Sequence, residues 1–103
     1  MTDAASAATA ARNVAEIATP GASRYLQQLC KHFAHKLPVT FDPHAGKIEF
    51  SMGECSLDAS ENVLTISLTS PDDSQLERLK DVVTRHLVRF AFREDLQIDW
   101  RRV

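Results

Sequence analysis

Between Ser23 and Phe41 the apolar residues change period, and that change limits what the chain can fold into. Ala22, Leu26, Leu29, Phe33 and Leu37 recur every three or four positions, with Tyr25 and Cys30 flanking the stripe, as in a helix that buries one face. Beyond Pro38, Val39 and Phe41 alternate with Thr40 and Asp42, the period of a half-buried strand. A helix with one apolar face needs a surface to bury it on, and the following residues supply one. Ile48, Phe50 and Met52 alternate with Lys47, Glu49 and Ser51, and Leu64, Ile66 and Leu68 with Thr65, Ser67 and Thr69. After Gly53 the apolar parity passes to Cys55 and Leu57. This predicts a turn at Gly53-Glu54, where glycine admits the positive φ of a tight hairpin. With polar connections at Asp42 to Gly46 and at Ser60 to Asn62, the region reads as an antiparallel meander.

The helix boundaries follow from capping chemistry. Thr19 is the expected N-cap of the first helix and Pro20 its first residue, with the helix running to about Lys36, where Lys31, His35 and Lys36 suit the negative end of the dipole. Ser70 is the expected cap of the second, with Pro71 in the first position and Asp73 reaching back. Its stripe, Leu76, Leu79, Val83, His86, Leu87 and Phe90, spans roughly twenty residues, long enough to lie across the whole sheet. A weaker strand is expected over Arg12 to Ala18, with Ala15 and Ile17 on one face, and a closing strand where Leu96, Ile98 and Trp100 alternate with polar residues. The small residues from Met1 to Ala11 offer little to bury and are expected to form a frayed tail, 1–11. The order β-α-β-β-β-β-α-β over 12–103 predicts a single α+β domain: a largely antiparallel sheet with both helices packed on one face.

A chain of 103 residues with a formal net charge of -2 lacks the basic field of a nucleic-acid binder. No apolar run approaches the length that spans a bilayer, and the first residues do not resemble a signal peptide. A cytoplasmic location away from membranes is therefore expected, with Cys30 and Cys55 as thiols. No G-x-S-x-G, Walker, dinucleotide, C-x-x-C or H-E-x-x-H pattern occurs, so an enzyme would have to work without a standard motif.

Three groups of residues could carry chemistry. Cys30, His32 and His35 have metal-ligating side chains, yet the steps of about 200° and 300° between them on a helix leave Cys30 away from the two histidines, so the three share no single face. Cys30 then reads as a core thiol and the histidines as surface residues. His86 lies on the apolar stripe and needs a partner, or with Tyr25 or His32 it lines a pocket between the helices where a ligand contact or general acid-base step could operate. Arg78, Arg85, Arg89 and Arg93 form a basic row suited to an anion. The same row, behind Asp72, Asp73, Glu77 and Asp81, also matches the helix dipole as a solvated face, with Asp81 and Arg85 as an i, i+4 pair.

The blocks ASRYLQQLCKHFAHK, GKIEF, GECSL, DVVTRHLVRFAFRE and Asp99-Trp100 resemble, in order, a bacterial family known as domain of unknown function 2218. The resemblance runs from about Arg12 to Arg101 and includes Tyr25-Leu26, Leu29 to Phe33, Gly53, His86-Leu87 and Arg89 to Ala91. It implies no catalytic residues, because the family has none established. It does imply an association: similar domains are fused to, or encoded beside, flavin-dependent siderophore-interacting reductases. The chain has no flavin or nicotinamide segment, so no cofactor is expected. Three functions stay open: an accessory domain binding a ferric siderophore, iron or the reductase through Tyr25, His32, His86, Arg85, Arg89 and Arg93; a structural or homo-oligomerising interaction module; and a small enzyme using His86.

Overall fold

The structure, a computed structural model, describes residues 10–103. Among them are six strands and two helices: β1 (Ala11–Ala18), α1 (Ala22–Phe33), β2 (Val39–Phe41), β3 (Ala45–Phe50), β4 (Gly53–Ser60), β5 (Val63–Ser70), α2 (Asp73–Phe90) and β6 (Arg101–Arg102). The expected order and the α+β class hold. The strands form one antiparallel sheet in the order β2-β3-β4-β5-β1-β6. Of the expected tail, residues 1–9 lie outside the described residues, whereas Ala11 is buried and opens β1 opposite Ser70.

Cross-strand register explains why one face is apolar. Ile48 stands opposite Cys55, Cys55 opposite Leu68, Leu57 opposite Ile66, and Ile66 opposite Ala15, so these side chains line one surface. All are buried. The opposite surface is polar and carries the ion pairs Lys47–Glu54, at 3.1 Å, and Arg101–Glu16, at 3.4 Å. Both helices lie on the apolar face, as expected, but α2 does not cross the whole sheet. It packs over β5 and β1, while α1 covers β2, β3 and β4. Leu26, Leu29, Leu76, Leu79 and Leu87 are fully buried between the layers, each contributing about 1.5–3 kcal/mol through removal from water.

Several expected boundaries shift because tertiary partners claim the capping side chains. Thr19 does not cap α1: its Oγ1 accepts from Gly21 N–H, at 3.1 Å, and donates to Glu94, while Gly21 takes the cap position without a side-chain bond. Helix α1 ends at Phe33, not near Lys36, and a turn closed by Leu37 N–H to Phe33 O, at 2.9 Å, leads to Pro38. Ser70 likewise belongs to β5, and its hydroxyl donates to Met52 O at 2.8 Å. The cap of α2 is Asp72, which accepts from Gln75 N–H at 2.8 Å.

The remaining differences concern the turns and the last strand. The hairpin turn expected at Gly53-Glu54 falls on Ser51-Met52, because Gly53 already pairs with Phe50. The connection after β2 is shorter than expected: Asp42 Oδ1 accepts from His44 and Ala45 N–H at 2.8 and 2.9 Å, and Ala45 and Gly46 join β3. Leu96, Ile98 and Trp100 pack half-buried against the core, but the closing strand is only Arg101–Arg102. Trp100 Nε1 donates to Thr84 Oγ1 at 3.1 Å, which satisfies the indole on the flank of α2.

Candidate functional site at the helix seam

The seam between α1 and the end of α2 gathers most of the chemistry-bearing side chains in two adjoining clusters. The first is organised by Tyr25, which the α1 stripe turns inward until it is 3% exposed. Its hydroxyl donates to Glu94 Oε2, and Thr19 Oγ1 donates to Glu94 Oε1 at 2.8 Å. Arg24 Nη2 donates to Tyr25 Oη at 3.3 Å, and the guanidinium lies 5.0 Å from the centre of the Tyr25 ring. These bonds hold the Glu94 carboxyl below its usual range, and the bond to Glu94, together with burial, pushes the Tyr25 phenol up. The negative charge of the pair therefore resides on Glu94. Beside this group, Arg24, Tyr25, Gln28, Phe90, Phe92 and Arg93 line a cavity of about 410 Å³. Phe92 is 75% exposed, and the Arg93 guanidinium lies 5.4 Å from the centre of its ring.

The second cluster is a stack of imidazoles and phenyl rings. His32 and His86 have ring centres 4.9 Å apart, Phe33 and His86 4.8 Å, and His32 and Phe90 5.6 Å. His86 Nδ1 is 2.7 Å from Val82 O, so in the neutral ring Nδ1 carries the proton and Nε2 is left as the acceptor. Loss of hydration, followed by the charges of His86, His35, Arg89 and Lys36, lowers the pKa of His32. Phe90 belongs to both clusters and joins them.

The family follows from the sequence itself. The profile of DUF2218, described as an uncharacterised protein conserved in bacteria, matches residues 14–101. The chain belongs to this family. Its structure is similar to the NMR structure of PA4090 from Pseudomonas aeruginosa, with a TM-score of 0.75 and 37% identity over 88% of this chain and 95% of that one. No curated protein matches the chain.

In this DUF2218 domain the three sequence-marked groups fare differently. The rings of His32 and His86 meet, whereas Tyr25 faces Glu94 in the neighbouring cluster. Cys30, His32 and His35 are not brought together. Cys30 is fully buried against the β3 backbone, where a Cβ on Gly46 would come within 2.7 Å of its Sγ, whereas His32 and His35 are exposed. Among the described residues no three His, Cys, Asp or Glu side chains are placed to hold a metal ion. Burial pushes the Cys30 thiol up to about 11 and raises that of Cys55 further, so both are inert thiols.

The arginine row is interrupted. Arg85 pairs with Asp81 at 3.1 Å, and α2 ends at Phe90, so Arg93 lies in the following turn beside the cavity. Sequence reasoning missed Thr19, Arg24, Glu94 and Phe92 as site residues. Only Phe92 left a local signal, an aromatic between arginine-bearing positions just past the apolar stripe.

Proposed function

We propose that this DUF2218 domain is a binding domain without catalytic machinery of its own, and that its ligand is an anionic small molecule, a ferric siderophore, seated in the cavity between α1 and the turn after α2. One observation carries the reading: two arginines, Arg24 and Arg93, line one cavity with Tyr25, Phe90 and Phe92. Guanidinium supplies charge and paired donors to an anion, and the rings supply flat apolar contact. The volume is in the range of small-molecule sites. Ferric complexes of catecholate and hydroxycarboxylate siderophores are anionic and bulky. The siderophore assignment draws on the family resemblance, in which similar domains accompany cytoplasmic siderophore-interacting reductases.

Isothermal titration with a ferric tris-catecholate and with a ferric hydroxycarboxylate complex tests the proposal. Saturable one-to-one binding is expected with at least one of them. Arg24→Ala and Arg93→Ala should each weaken it about tenfold, the loss of roughly 1.4 kcal/mol expected for one charge-assisted contact. Titrations that never saturate, or an affinity indifferent to both arginines, would sink the reading.

A further inference from the structure

The contact around Glu94 has the form of a carboxylate caught in a receptor. Thr19 and Tyr25 are 2% and 3% exposed, yet their hydroxyls give their protons to the two oxygens of one carboxylate that comes from a distant part of the chain. The receptor side is rigidly built. Thr19 N–H donates to Asn62 O at 2.9 Å, Thr19 Oγ1 accepts from Gly21 N–H, and Tyr25 is anchored in the apolar stripe of α1. The anionic side comes from a turn. Glu94 sits in a turn closed by its own N–H to Ala91 O at 2.9 Å, and its neighbours Arg93 and Asp95 are exposed. Tyr25 and Arg24 also line the cavity that Arg93 and Phe92 complete.

We propose that Thr19, Tyr25 and Arg24 form a carboxylate-binding site that the chain's own Glu94 fills, and that a carboxylate-bearing ligand entering the neighbouring cavity takes it over by displacing Glu94. The inference rests on the binding role given to that cavity and names the ligand's anchoring group. Displacement frees the turn after α2, so Phe92 and Arg93 can close against the ligand while Glu94 moves into water. Binding is thereby coupled to the position of one turn. No bond is made or broken beyond the exchange of one carboxylate for another on the same two hydroxyls.

Acetate is the probe. Glu94→Ala empties the receptor, and its thermal midpoint should rise by several degrees more in sodium acetate than in sodium chloride of equal ionic strength. The wild type, whose receptor is filled, should show a much smaller difference, and the double variant Tyr25→Phe with Glu94→Ala should lose the extra gain. Glu94→Gln keeps the shape but loses the charge, so it guards against misfolding of the alanine variant while holding the two hydroxyls too weakly to keep acetate out. In it the Gly21 and Thr19 amide signals should shift saturably with acetate and stay still with chloride. An acetate response no greater than that of the wild type, surviving Tyr25→Phe, or absent from the Glu94→Gln spectra overturns the proposal. Acetate carries no iron, so failure of ferric-complex binding leaves this result standing. Loss of the acetate effect alongside intact ferric-complex binding places the fault in the carboxylate receptor alone.

Discussion

Gly53 shows how far one side chain can decide a hairpin. Its φ of 155° is one that L side chains rarely adopt, and a Cβ there would lie 2.3 Å from Thr69 O and 2.5 Å from Ser70 Oγ. The crowding arises because Ser70 Oγ reaches Met52 O across the hairpin mouth, fastening the β3–β4 turn to the end of β5. Gly53→Ala should therefore cost about 2–4 kcal/mol, combining backbone strain with the displacement of a main-chain carbonyl, as read from urea denaturation. A loss below about 1 kcal/mol would show that the turn relaxes freely. At this scale the sequence was legible where burial decides: Cys30 reads as a core thiol and is one. It was not legible where a polar side chain chooses between a local and a distant partner. Thr19 and Ser70 both sit where a cap belongs, yet one serves Glu94, 75 positions away, and the other Met52. A capping pattern reports what a hydroxyl can do for its neighbours and carries no information on a carboxylate that folding brings in.

Elements were easier to foresee than their ends. Both helical stripes and the parity of each meander strand were visible, because burial of one face imposes a period on the sequence. The meeting of His32 and His86 needed two stripes to be packed together, which spacing within one helix cannot supply. That meeting makes the α1–α2 seam sensitive to pH. Loss of hydration at the seam, followed by the charges of His86 and Arg89 on α2 and of His35 and Lys36 on its own side, depresses the folded-state pKa of His32. The unfolded chain then binds the proton more readily. Stability is fully present above the ordinary histidine value of about 6.5 and is lost as the pH falls through the lowered one. The thermal midpoint should fall between about pH 7 and pH 5, by no more than a few degrees because His32 is well solvated. His32→Gln should flatten that part of the profile in differential scanning calorimetry, and a slope unchanged by the substitution would remove His32 from the account.

The layers of the whole molecule, one sheet with two helices on one face, were foreseeable from the order of periods, whereas the neighbours of β1 were not. Nothing local in Arg12 to Ala18 says that this strand lies between β5 and β6, since both pairings join residues far apart in sequence. Asn13 blurred the strand further: it occupies a core-facing position because Lys80 Nζ reaches its Oδ1 at 3.1 Å, a satisfaction that only the folded chain provides. The placing of β1 has a topological consequence. Val103 N–H donates to Arg12 O at 3.3 Å, so the path of the described chain is a nearly closed ring. A circular permutant that joins Val103 to Ala10 through a few glycines, with new ends opened at the exposed Glu61-Asn62 turn, should keep the native circular dichroism and amide spectra. In a larger polypeptide the same closure would let this domain sit as an insert, its host strand entering and leaving at neighbouring points about one strand spacing, roughly 5 Å, apart.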